Sequence, residues 1–191
     1  LLWTSLRTSP HLWRLDWSAL LGWVQVSAIL LGILLVWIFY TSLVMRFSWL
    51  PSLRDSVLPF AIGLLEFTLI DLEGPGTLGP WFYTLAAVFG VAVWTTHLIF
   101  RRVGEDPSAR ATLESLEPES RRAFAKSIAA VAGLVLIGLL LQVSRNQGWL
   151  ALAGLLYANA ALIWQLAEQR RFWHATMTAS EIDDAGWPGR E

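Results

Sequence analysis

The sequence predicts an all-α integral membrane protein, a bundle of about five transmembrane helices preceded by a short N-terminal interfacial helix. Two observations lead there. Of 191 residues, 55% are hydrophobic and only 15% are charged, well below the roughly 25% charge of an ordinary soluble domain. The apolar residues also stand in long unbroken runs, with a mean hydropathy of +0.50, where a soluble core would show an amphipathic period.

The elements follow in order. Residues 1–17 hold Trp3 and Trp13 with Leu2, Leu6, Leu12 and Leu15, which suits a segment lying on the outer surface and broken at Pro10. Arg7, Pro10, Arg14 and Asp16 interrupt the apolar stretch a signal peptide would need. The first span, 18–45, contains no charged residue, and Gln25 is its most polar side chain. A hydrocarbon core of roughly 30 Å needs about 20 helical residues, so this run tilts or protrudes. The second span, 56–72, is shorter and carries Glu66 and Asp71. The third, 81–100, is apolar except for His97 near its end and small polar residues. The fourth and fifth, 127–144 and 148–167, are separated only by Arg145, Asn146 and Gln147. As one helix they would far exceed the bilayer, so they form a tight antiparallel hairpin.

Between the third and fourth spans lies a loop, 101–126, that reads as two short helical turns on either side of Pro118. Across 112–122, Glu114, Glu117 and Glu119 precede Arg121 and Arg122, the order that suits a helix macrodipole. The tail 173–191 becomes acidic beyond Thr178, with Glu181, Asp183 and Asp184 followed by Gly186, Pro188 and Gly189, and reads as flexible.

Charge sets the expected orientation. With five spans, eleven of the fourteen basic residues fall on one side, among them Arg46, Arg54, Arg101, Arg102, Arg121, Arg122 and Lys126, against Arg7, Arg14 and Arg145 on the other. The positive-inside rule then puts the N-terminus outside and the C-terminus in the cytoplasm, in a bacterial inner membrane. The second span is not proved by this tally, because omitting it exchanges two arginines for two. It rests on Val57 to Ile70, which holds one charge in fourteen residues. Trp17, Trp23, Trp81 and Trp149 fall near the outer interface, and Trp37, Trp49, Trp94 and Trp164 near the inner one, the depth that indoles favour.

Chemistry is sparse. The chain has no cysteine, which excludes disulfides and thiolate sites. The P-loop, GxSxG, HExxH and calcium-loop motifs do not occur. Gly74-Pro75-Gly76-Thr77-Leu78-Gly79 matches GxGxxG, but it joins two apolar spans without the βαβ context of a dinucleotide site and reads as a turn.

A few positions stand out. Glu66 lies roughly 15 Å deep, near the midplane, and Asn159 on the fifth span reaches a similar depth, so a Glu66–Asn159 hydrogen bond is expected. Such a pair is interhelical glue or a proton or cation relay. Asp71 and Glu73 sit beyond Glu66 towards the outer end. Glu66 and Glu73 are seven residues apart and would share a helix face within about 20°. That row is either a cation path or a set of solvated interfacial acids. His97 could ligate haem or a chlorin, though the other two histidines, His11 and His174, fall outside the spans. An interfacial histidine is the plainer reading. Arg101, Arg102, Arg121 and Arg122 are placed to meet anionic lipid headgroups. Ala86 and Gly90, Ala129 and Gly133, and Gly154 and Ala158 are each four apart, the spacing that lets helices approach closely.

Three functions fit. The first is a non-catalytic structural or accessory subunit, or assembly factor, of a larger membrane complex, with an energy-converting photosynthetic or respiratory assembly as one setting. The second is a small oligomeric ion or proton channel or transporter using Glu66. The third is a haem- or pigment-binding module using His97. No metal and no other cofactor is expected. The expected partners are membrane lipids and other transmembrane subunits, with no nucleic acid, since the formal net charge is −1.

Overall fold

The computed structural model describes residues 10–13, 16–47, 53–103, 107–144 and 147–185, and every element among them is helical. Five α-helices follow one another: α1 (Trp17–Phe47), α2 (Leu53–Asp71), α3 (Leu78–Val103), α4 (Pro107–Val143) and α5 (Gln147–Ala185). Four contain segments long and apolar enough to cross a membrane, at Trp17–Thr41, Leu78–Leu98, Arg121–Val143 and Gly148–Arg171. A helical membrane bundle is therefore the architecture, and α2 stands outside those four.

Local chemistry sets the helix starts. Asp16 caps α1, its Oδ1 accepting from the Ala19 amide at 3.0 Å and the Ser18 hydroxyl at 2.6 Å. Pro107 opens α4 at a position where a missing N–H costs nothing. Between α2 and α3 the GxGxxG string is a turn, as expected. Gly74 takes φ 142°, which glycine tolerates best, and Pro75–Thr77 form one 3-10 turn.

Helix α3 is central. More than half of its apolar segment is buried (56%), against 22% for that of α4. Trp81, Phe82, Leu85, Ala86, Val88 and Phe89 all point inward. Around it α2 and α4 pack on α3, α5 packs on α4 and α1 on α5, with a thinner seam between α1 and α2. The Trp17 and Trp149 rings meet at 5.0 Å, tilted by 60°, where α1 meets the start of α5.

Several expectations change here. The region 101–126 is not a loop with two short turns. Helix α4 begins at Pro107 and runs unbroken through Pro118. Likewise α5 continues past 167 to Ala185, so the stretch after Thr178 is helical up to that point. At about 1.5 Å per residue both helices exceed 50 Å, well beyond the hydrocarbon thickness. Trp81 is wholly buried rather than interfacial, edge-on to Phe82 at 5.3 Å. Trp23, Trp37, Trp94 and Trp149 are exposed as the interfacial reading requires. Trp49 lies outside the described residues. At the N-terminus only a 3-10 turn, Pro10–Trp13, is described. It folds onto α1 through a Trp23 Nε1 bond to the Leu12 carbonyl at 3.1 Å and a Trp13–Trp23 edge contact.

The small residues divide. A Cβ on Gly154 would stand 2.6 Å from Ile137 and 2.9 Å from Phe82, and one on Gly133 would meet Tyr157, so both glycines admit a neighbouring helix. A Cβ on Gly90 would meet nothing within 4 Å among the described residues.

Candidate functional site

Glu66 lies about three-quarters of the way along α2, seven residues after Pro59. Proline removes one rung of the helix ladder and favours a bend there. The outer face of α2 carries Val57, Phe60, Leu64 and Phe67, all exposed, so Glu66 falls on the edge that turns towards the bundle. There its Oε1 is buried and has no hydrogen-bond partner among the described residues.

What that oxygen faces is a small cavity of about 30 Å³ between α1, α2, α3 and α5. Gly32 of α1 makes room for it: a Cβ there would lie 3.9 Å from Glu66 Oε1. Leu69, Phe89 and Leu162 supply apolar walls, and among the described residues Gln165 of α5 is the only other polar side chain in the lining. Gln165 Nε2 reaches Ser127 Oγ at 3.4 Å, a long bond that ties α5 to α4.

The expected Glu66–Asn159 bond is not made. Asn159 instead serves α1: its Oδ1 accepts from Ser27 Oγ at 2.8 Å, and its Nδ2 donates to the Val24 carbonyl at 3.1 Å and to Leu155 of its own helix at 2.9 Å. Depth brought the two residues level, but Asn159 turns to the α1 seam. The row of acids is also interrupted. Helix α2 ends at Asp71, which is exposed, so Glu73 lies past the helix and shares no continuous face with Glu66.

His97 is exposed near the end of α3, with Trp94 and Phe124 rings at 6.4 and 6.0 Å. No cluster of three or more His, Cys, Asp or Glu residues that could hold a metal occurs among the described residues. Arg101, Arg121 and Arg122 are exposed, and the Arg102 side chain lies outside the described residues. Nearby, the Lys126 ammonium sits over the Trp164 ring at 5.0 Å.

Sequence reading missed the residues that complete these arrangements. Gly32 carried no signal, being one glycine in an apolar run. Gln165 and Ser27 were polar breaks in apolar helices, the signal that could have found them. In the sequence Gln25 is marked only as the most polar side chain of the first span. It is fully buried, and its Oε1 accepts from the Gly74 amide at 3.2 Å, pinning the α2–α3 turn to α1. Its Nε2 and the Trp81 Nε1 are buried donors without acceptors among the described residues.

Comparison with known protein families, curated proteins and solved structures finds no match to this chain.

Proposed function

We propose that the chain is a non-catalytic structural subunit or assembly factor of a larger membrane complex. Helix α2 serves as a fifth span, placing the N-terminus outside and the C-terminus in the cytoplasm of a bacterial inner membrane. One observation supports the subunit reading most directly. Residues 107–120 of α4 and 172–185 of α5 continue as helix beyond the apolar segments, and the α4–α5 hairpin puts both on the same side. Each projection is about 20 Å long. An isolated helix of that length is marginal in water, so these extensions call for a surface to lie on. Their acids and bases, from Arg110 to Glu119 and from Glu181 to Asp184, suit a polar cytoplasmic surface on another subunit. Arg101, Arg102, Arg121 and Arg122 meet anionic headgroups at the same face.

Native purification in mild detergent, with mass spectrometry of co-purifying chains and an absorption spectrum, tests this. A stoichiometric partner is expected, and it should be lost when residues 172–191 are removed. A homo-oligomer without partners overturns the reading.

The buried Glu66 oxygen supports a second reading, a proton or ion path. Proteoliposome flux that is abolished by Glu66→Gln would establish it, and flux indifferent to that change would end it.

A further inference from the structure

We propose that the arginine-rich end of the α3–α4 seam is a binding groove for one anionic phospholipid. Its phosphate would lie between Arg101 and Arg121, and an acyl chain along Trp94 and Ile128. The inference deepens the headgroup role given to the arginines above and rests on that reading of this end of the bundle. It needs no partner subunit.

Two helices bring the parts together. On α3 the exposed side chains Trp94, His97 and Arg101 follow at i, i+3 and i+7, a single stripe along the helix. On α4 Arg121, Phe124 and Ile128 repeat that spacing and are exposed as well. The two helices run antiparallel in one register. Gly79 abuts Gln142, Tyr83 abuts Gly138, and the His97 and Phe124 rings meet at 6.0 Å. These pairs advance in step, so Arg101 and Arg121 stand within about 1.5 Å of the same level. The His97–Phe124 contact sets the two stripes side by side, and the Trp94 ring flanks it 6.4 Å from His97.

The order of the side chains is the order of a lipid. From Trp94 to Arg101 is about 10 Å of helix, enough to cross an interfacial layer of roughly 5–8 Å and reach hydrocarbon. The apolar segment of α3 ends at Leu98 and that of α4 begins at Arg121, which sets the arginines at the boundary. Guanidinium groups hold a phosphate through paired N–H donors, and an imidazole can add one more. Neither helix carries an acid from Trp81 to Val103 or from Ser120 to Val143, so the charge in both stretches is of one sign. An acidic protein surface would match the arginines but leave Trp94 and Ile128 unmatched. A single amphiphile satisfies both ends. Lys126 marks the limit of the groove, since it leans the other way, over the Trp164 ring of α5 at 5.0 Å.

Native mass spectrometry of the full-length protein in mild detergent, titrated with phosphatidylglycerol or phosphatidylcholine, tests the groove. One phosphatidylglycerol should be retained per chain in preference to phosphatidylcholine. A basic residue near an anionic headgroup is worth about fivefold in affinity, so Arg101→Gln should weaken retention by about that factor. Adding Arg121→Gln should weaken it further, whereas Arg101→Lys should lose less because it keeps the charge. Lys126→Gln removes a nearby charge outside the groove and should change nothing. These side chains are all exposed, and an unchanged helical circular dichroism spectrum would show each variant folded. Equal retention of the two lipids overturns the proposal. So does a loss in Lys126→Gln that matches Arg101→Gln, because a general positive belt then explains the binding. An acidic protein chain held by the same arginines in place of lipid overturns it as well. A partner that co-purifies while lipid retention is unselective removes the groove and leaves the subunit reading standing.

Discussion

The Ser27 hydroxyl on α1 stands 2.8 Å from the side-chain oxygen of Asn159 on α5 and 2.8 Å from the Val24 carbonyl, two acceptors for one proton. The amide of Asn159 donates to that same Val24 carbonyl. This Ser27–Asn159 pair fastens the first apolar helix to the last. Interhelical hydrogen bonds in membranes contribute about 0.6–2 kcal/mol each, so Asn159→Ala should destabilise the bundle by about 1–2 kcal/mol. Ser27→Ala should cost less, because Asn159 keeps its bond to Val24. Reversible unfolding in mixed micelles would measure both. A double-mutant cycle should return a coupling energy clearly above zero, and additive losses would mean that the pair does not form.

The same pair shows what the sequence could disclose. Helices α1 and α3 and the apolar parts of α4 and α5 are legible because runs without charge have few alternatives in a membrane. Asn159 was found as an intramembrane polar residue, but its partner was not. Counting 1.5 Å per residue gives depth, whereas partner choice depends on rotation about the helix axis, which packing decides. Trp81 failed for a related reason. An indole near a span end ordinarily anchors at the interface, and only the convergence of α3 with its neighbours makes that position a core. Pro118 suggested a break and residues 107–120 lacked any apolar run, so the extension of α4 was invisible to hydropathy.

Small residues at equal spacing should behave unequally. Gly154→Ala drives a methyl to 2.6 Å from Ile137 and 2.9 Å from the buried Phe82 ring. Overpacking of that kind costs about 1–3 kcal/mol. Gly133→Ala meets the hydroxyl end of Tyr157, which is exposed and able to move, so a smaller loss is expected, only partly relieved by adding Tyr157→Phe, which keeps ring carbons at 2.9 and 3.1 Å. Gly90→Ala has open space and should be neutral or stabilising by up to about 1 kcal/mol through helix propensity. Thermal unfolding in one detergent would rank the three, and an equal loss at Gly90 would contradict the packing described.

Gln25 offers a sharper test of the α2–α3 turn. In Gln25→Leu the buried Gly74 amide loses its acceptor, a change worth about 1–3 kcal/mol. Gln25→Glu keeps an acceptor oxygen and removes the unpaired Nε2, so it should retain more stability wherever the new acid is protonated. Gly74→Ala should also destabilise, since φ 142° is strained for any side chain. Hydrogen exchange should show the Gly74 amide opening faster in Gln25→Leu than in the native chain. Unchanged protection there would remove Gln25 from the account of this turn.

The orientation of α2 can be decided with single cysteines, because the native chain contains none and each introduced thiol is a unique reporter. If α2 crosses the membrane, Ser52→Cys and Gly76→Cys lie on opposite faces. An impermeant maleimide applied to intact cells should then label Gly76→Cys, at the exposed turn before α3, and leave Ser52→Cys untouched until the membrane is opened. Ser120→Cys on the α4 projection should behave like Ser52→Cys. The arginine tally cannot make this distinction, since removing the second span merely exchanges Arg46 and Arg54 for Arg7 and Arg14. Labelling of Ser52→Cys and Gly76→Cys from the same side would take α2 out of the set of spans. It would then lie along the bundle as a re-entrant or surface helix. Glu66 would lose its midplane depth, and its cavity would have to be reached from the membrane face instead of from within the bilayer.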